Sequence, residues 1–343
     1  MGDTNEFLNK RILITGASSG IGQACAFYYL NNGAKVALCG RDVDTLKKIG
    51  CKYPGQGAVI NLDLSDDLQI FDLKTTVIEI LGGVDILINC AGVLFDGDVE
   101  KTFPQDYDYV LDVNLRSVFI LLKSLKSYFS NNTTIVNVSC LHGTKPSCGV
   151  TSYAVTKSGL EMMTKFAAAE FAESGVRVNA VTSSPVDTNS QRYVGVGDKE
   201  YNNYKSRVGK YIPLGRMAYP DDIAKAIIYL TSKRSSQITG QIVKVDGGRY
   251  LTTSGWVPYR GMKNMNARFE PDGVKPMVQM KEFYGKLTKK KETEYPTNEE
   301  EIEKTLMESN WSTRLSEAHE KVTANYKNIK NIDEFLKEKY VKN

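Results

Sequence analysis

The chain reads as an α/β protein: a doubly wound, seven-stranded parallel sheet followed by a mainly helical C-terminal extension. Three observations predict this. Over the first ~250 residues, short apolar runs alternate with helix-period patterns, as strands joined by crossover helices would. A glycine cluster, Thr15-Gly16-Ala17-Ser18-Ser19-Gly20-Ile21-Gly22, falls where the first strand would hand over to the first helix. After about Gly255 the strand-like runs stop, and residues 256–343 carry 17 Lys and Arg with 15 Asp and Glu.

The expected strands, in order, are RILIT from Arg11, KVALC from Lys35, AVINLD from Ala58, DILINC from Asp85, TIVNVS from Thr134, VRVNAV from Val176 and QIVKVD from Gln241. Helices are expected to begin near Gly22, Val43, Asp66, Pro104, Ser152 and Pro220, several of them flanked by small or capping residues. Right-handed crossovers then place the carboxyl ends of all the strands on one edge, the edge where such sheets bind ligands. The expected division is 1–255 for the sheet domain and 256–343 for the extension. Pro258, Gly261, Pro271, Gly273 and Pro276 open the extension as an extended arm. Beyond them Thr297 with Glu300 forms a capping-box pattern, and apolar stripes at Ile302/Leu306, Leu315/Val322/Tyr326/Ile329 and Ile332/Phe335/Leu336 predict two or three amphipathic helices. Such helices would pack on the main domain or dock on a partner.

Bulk properties exclude several classes. A chain of 343 residues with 41% apolar and 24% charged residues has the makings of an ordinary globular core. The net charge of +4 is small, and the Lys289-Lys290-Lys291 run is a solvated patch, so no nucleic-acid partner is expected. The six cysteines form no C-x-x-C pair and have no histidine set at ligand spacing, which predicts reduced thiols and no metal. Apolar runs fall short of the ~20 residues that cross a bilayer, and the first residues lack a signal core or an Arg-rich transit pattern. Glu6, where Ser or Thr would be needed, argues against myristoylation. The expectation is a cytoplasmic protein without a membrane span.

The glycine cluster is a candidate phosphate cradle. Glycines permit the tight turn and close backbone approach, while the helix start offers unpaired N–H groups and partial positive charge. Its spacing is G-x-x-x-G-x-G, and the residues that would face a pyrophosphate are Gly16, Ser18, Ser19, Gly20, Ile21 and Gly22. At the end of the second strand, a carboxylate would bond a ribose 2′-hydroxyl and repel a 2′-phosphate. Here the sequence is Cys39-Gly40-Arg41 instead, and a guanidinium suits a 2′-phosphate, so the expected cofactor is NADP(H).

Tyr153 and Lys157 lie four residues apart in YAVTK, one helical turn, and Ser139 precedes Tyr153 by fourteen. A phenol with a pKa near ~10 is a poor base at neutral pH unless positive charge stabilises its phenolate, which an ammonium one turn away can do.

These residues, together with Asp63 in NLDLS, Asn89-Cys90-Ala91-Gly92, Asn114 in DVNL, Ser139 in NVSC and the closing ITGQIVKVDGG, resemble the short-chain dehydrogenase/reductase family over roughly residues 10–253. The resemblance implies a Rossmann fold and NADP(H)-dependent interconversion of a small-molecule carbonyl and an alcohol. It also implies Tyr153 as general acid/base and Lys157 as its partner, also bonding the nicotinamide ribose. Ser139 would be the donor to the substrate oxygen, and Asn114 would hold a water in a proton relay. Asp63 would lie beside the adenine, and Asn89, Ala91 and Gly92 would line the cofactor wall, with bonding between strands an equal prospect for Asn89. Val186 and Thr188 would contact the carboxamide. Two departures stand out: Cys90 replaces an Asn, and Ser183-Ser184 replaces a Pro-Gly pair. The segment 189–211, with Tyr193, Tyr201, Tyr204 and Tyr211, is an expected lid whose tyrosines either face substrate or pack beneath it. Assembly into a homodimer or homotetramer through the helices of Asn114 and Tyr153 is implied as well. Two other readings compete: a sugar-nucleotide epimerase or dehydratase, whose T-G-x-x-G-x-x-G spacing this loop does not follow, and an assembly subunit that keeps the fold and uses its charged arm for docking.

Overall fold

The computed structural model describes residues 6–95, 97–188 and 198–252. The C-terminal extension, the boundary at 255 and Tyr193 lie outside the described residues. In chain order the elements are β1 (Arg11–Thr15), α1 (Gly20–Asn31), β2 (Lys35–Gly40), α2 (Val43–Gly50), β3 (Gly57–Asn61), α3 (Asp67–Leu81), β4 (Val84–Asn89) and α4 (Pro104–Leu111). They continue with α5 (Ser117–Leu125), β5 (Phe129–Cys140), α6 (Thr151–Phe171), β6 (Arg177–Ser183), α7 (Asp198–Gly209), α8 (Pro220–Thr231) and β7 (Ile242–Val245). The seven strands pair in the order β3-β2-β1-β4-β5-β6-β7, and every pairing is parallel.

Period-2 alternation along each strand feeds two cores. Leu13, Ala37, Leu87 and Ile135 face α3, α5 and α6 through Leu73, Leu121 and Leu160. Ile12, Ile14, Leu38, Ile88 and Val136 face α1 and α8 through Cys25, Tyr29, Ile223 and Ile227. Both faces of the sheet are thus covered, and so its strands read as near-continuous apolar runs. The buried Tyr29 hydroxyl pairs with Thr231 Oγ1 at 2.7 Å and ties α1 to α8. The strand order turns back between β1 and β4, which opens a crevice at their carboxyl ends.

β5 starts at Phe129, well before the expected TIVNVS run, and its polar Ser130, Asn131 and Asn132 hid that beginning. The pairing jumps from Val84↔Phe129 to Ile86↔Thr134, a bulge that absorbs the extra residues. The sequence reading also missed the π-helical turn Asp112–Arg116 that joins α4 to α5, and α7 within the expected lid.

Candidate active site

The crevice is built first from the glycine loop. Thr15 Oγ1 accepts the backbone N–H groups of Cys90 at 3.2 Å and Ala91 at 3.3 Å, sewing the end of β1 to the end of β4. Gly16 adopts φ +71, and a Cβ there would fall 2.8 Å from Ala91 Cα, so this corner admits only glycine without rearrangement. A Cβ on Gly20 would lie 3.2 Å from Thr188 Cγ2, which brings the segment after β6 against the same loop. Ser19 caps α1 without a side-chain hydrogen bond, and no acidic residue occupies the first turn of that helix. The Ser18 carbonyl accepts from Gln23 at 2.9 Å, its hydroxyl lies toward Gly40, and Gly22 and Ile21 pack into the first turn of α1. These amides, with a glycine-shaped hollow and no opposing carboxylate, fit a dinucleotide pyrophosphate.

Around the loop stand the other expected cofactor residues. Arg41, just past β2, donates from Nη1 to the Tyr109 hydroxyl at 2.8 Å. Asp63, just past β3, accepts from Ser65 N at 2.9 Å and Ser65 Oγ at 2.8 Å. Asn89 is 3% exposed and donates to Asn137 Oδ1 at 2.8 Å, so its side chain bonds β4 to β5. Its buried Oδ1 has no protein partner. Val186 bridges to Ala218 and packs on the α1-side core.

The second half of the crevice centres on α6. Gly92 lies between two expected catalytic side chains: a Cβ on it would meet Asn114 Oδ1 at 3.3 Å and Lys157 Nζ at 3.6 Å. Asn114, 1% exposed in the π-helical turn, accepts from Val93 N at 2.8 Å and donates to Val93 O at 2.8 Å and Thr156 Oγ1 at 3.2 Å. Its amide clamps the backbone after β4, a role the sequence reading had not assigned to it. Lys157 is buried, donates to Val138 O at 2.8 Å and sits 5.5 Å from the Tyr153 ring centroid. Burial pushes the Lys157 ammonium below its ordinary range, against the pull of Cys140, Cys90 and Glu161. Burial likewise pushes the Tyr153 phenol well above its ordinary value, with Cys140 and Cys90 adding to the rise. Desolvation thus outweighs the expected charge assistance in this arrangement.

Ser139 turns toward α6. It is 2% exposed and donates to Glu161 Oε1 at 2.8 Å, and the same oxygen accepts from Thr182 Oγ1 at 3.0 Å. Strand alternation is the reason: Asn137 and Ser139 point to α6, while Cys140, the next residue, takes the other side at the sheet edge. There the Cys140 thiol neighbours the Tyr153 hydroxyl closely enough for each to shift the other's ionisation. Burial raises the thiols of both Cys140 and Cys90, the latter to about 12. Counting β5 by twos back from the strand end would have separated Cys140 from Ser139. Glu161 had no comparable signal, because a helical Glu usually marks a solvated face.

Of the expected lid, Tyr201 is 2% exposed and donates to Asp187 Oδ1 at 2.7 Å and to Thr188 O at 3.2 Å. It stacks on Tyr204 with centroids 6.3 Å apart, and Lys205 adds an ion pair to Asp187 at 3.0 Å. These groups anchor α7 to the segment after β6, the packed alternative for the tyrosines. Among the described residues no cluster of His, Cys, Asp and Glu could hold a metal, and no described helix is long and apolar enough to cross a membrane.

Residues 16–249 match the family described as enoyl-(acyl carrier protein) reductase. A 3-oxoacyl-[acyl-carrier-protein] reductase of Thermotoga maritima is 35% identical over 244 residues, covering 70% of this chain and 97% of its own length. The chain belongs to the short-chain dehydrogenase/reductase family. A glucose 1-dehydrogenase of Gluconobacter oxydans is 33% identical, with 72% of this chain and 94% of that protein aligned. Among solved structures, a glucose/ribitol dehydrogenase of this family from Brucella melitensis superposes with a TM-score of 0.67 at 26% identity, over 72% of this chain and 99% of its own. A 3-ketoacyl-(acyl-carrier-protein) reductase from the same organism, complexed with NADH, gives a TM-score of 0.64 at 29% identity, over 71% of this chain and 99% of its own. The chain is accordingly an oxidoreductase enzyme with a Rossmann-type sheet.

Proposed function

We propose that this short-chain dehydrogenase/reductase interconverts a small-molecule carbonyl and an alcohol with NADP(H), using Tyr153 as the acid/base and Lys157 as its charged neighbour. One observation carries the reading. The Lys157 ammonium sits 5.5 Å from the Tyr153 ring, one turn along α6, at the strand ends where the glycine loop, Ala91 and Thr188 converge. When bound, the reduced nicotinamide supplies the hydride. Tyr153, kept protonated by burial, gives its proton to the oxygen of the carbonyl being reduced. Lys157 favours the phenolate that remains, and Asn114 keeps Val93 and Gly92 in register beside both. Gly40 stands where a ribose-binding acid would, and Arg41 follows it, which supports a 2′-phosphate on the ribose.

The test is consumption of NADPH and NADH against a panel of ketones, quinones and aldehydes. Turnover is expected with NADPH, with Tyr153→Phe lowering kcat by at least ~100-fold. Because the phenol is raised, carbonyl reduction should hold through neutral pH and decline only at alkaline pH. Full activity in Tyr153→Phe would overturn the proposal. A cytoplasmic homodimer or homotetramer completes it, supported by the apolar groove on α4, α5 and α6. A docking role for residues 256–343 is part of the same proposal, tested by comparing assembly mass with and without them.

A further inference from the structure

We infer that Cys140, in place of Ser139, is the side chain that meets the substrate oxygen, and that the enzyme therefore favours carbonyls that are already electron-poor. This deepens the oxidoreductase reading and rests on it. Ser139 is spent elsewhere: its hydroxyl and that of Thr182 both donate to the buried Glu161 Oε1, at 2.8 and 3.0 Å. Turning Ser139 toward the crevice would strip a buried carboxylate of a donor, a costly exchange. Cys140 has the position instead. It is the last residue of β5, is partly exposed where Ser139 is buried, and its thiol neighbours the Tyr153 hydroxyl. An oxygen within reach of the phenolic proton is therefore also within reach of the thiol.

A thiol is a weak hydrogen-bond donor compared with a hydroxyl. It stabilises charge developing on the substrate oxygen less, so more of the polarisation has to come from the substrate itself. In the step, the carbonyl carbon gains the hydride supplied by the reduced cofactor, and its oxygen gains the Tyr153 proton. The C=O π bond opens, the Cys140 S–H bond stays intact, and the phenolate regains a proton from solvent. Carbonyls beside a second electron-withdrawing group, such as α-ketoesters, fit this site better than simple ketones.

The experiment compares kcat/KM for ethyl pyruvate and cyclohexanone, with NADPH, in the full chain and its variants. The unaltered enzyme should prefer ethyl pyruvate. Cys140→Ser should raise kcat/KM on cyclohexanone about 10-fold and narrow the preference, and Cys140→Ala should lower kcat on both, whereas Ser139→Ala should leave the preference unchanged. Peptide-level mass spectrometry should show that iodoacetamide labelling of Cys140 runs parallel to loss of turnover, with Cys140→Ser resistant. NADPH affinity, read by fluorescence, should be equal in all three variants. The inference is overturned if Tyr153→Phe is inactive yet Cys140→Ser keeps the preference within about twofold, or if Ser139→Ala is the variant that shifts it. An active Tyr153→Phe would instead sink the oxidoreductase reading beneath it.

Discussion

At the residue scale, the proposed nucleotide choice turns on one guanidinium. Arg41 donates to the Tyr109 hydroxyl at 2.8 Å, which ties the end of β2 to α4. Arg41→Ala is expected to lower the ratio of NADPH to NADH efficiency about 10- to 100-fold, the worth of a charge-assisted hydrogen bond. A ratio that stays put in steady-state kinetics would remove NADP(H) from the proposal. Arg41 could be noticed in the sequence because a strand end without an acid is a local pattern, whereas its tether to Tyr109 joins residues 68 apart and could not. The nearness of Lys157 to Tyr153 was legible for the same reason, since one helical turn fixes it. Which of Ser139 and Cys140 faces the crevice was not legible, because the sequence presents them side by side while a strand sends neighbours to opposite faces.

At the element scale, the amino ends of β1 and β4 are pinned by Arg11 and Asp85. Asp85 accepts from Arg11 N at 2.9 Å, Nε at 3.0 Å and Nη2 at 2.8 Å, and from Ser130 Oγ at 3.0 Å. Burial alone would raise this carboxyl, yet the bonds from Arg11 and Ser130 outweigh it and hold the group at about 2, below its ordinary 3.8. A depressed carboxylate contributes stability above its unfolded value and loses it as pH falls. The pin is therefore intact at pH 3.8 and fails on the way to pH 2. Asp85→Asn should lower Tm at neutral pH by roughly 2–5 °C and flatten the acid limb of a thermal-melt series. An unchanged acid limb would mean that the pin contributes nothing. Most elements were readable because apolar runs of strand length between helix-period stretches leave few alternatives. The exceptions were polar or irregular: the start of β5, paired through a bulge, the polar helix α7, and the π-helical turn, whose extra residue per turn leaves no mark on hydrophobic spacing.

At the scale of the whole molecule, α4, α5 and α6 present a groove of about 750 Å³ lined by Leu111, Leu115, Phe119, Gly159 and Met163 with Asp108, Asp112 and Arg116 beside them. Phe119 is 56% exposed and Phe166 on α6 is 62% exposed, apolar surface that a subunit contact on these helices would cover. Phe119→Asp is expected to shift sedimentation-velocity mass toward the monomer while leaving the melting profile of the fold in place. Equal masses for both proteins would remove this groove from the proposed assembly. Tyr153 and Lys157 share a single 21-residue rod with Gly159, Met163 and Phe166. A rigid rod transmits a push along its length, so a neighbour seated against its outer side would set the angle at which the phenol enters the crevice. Dilution and chemistry would then be linked: turnover per subunit should depend on protein concentration wherever the subunits come apart.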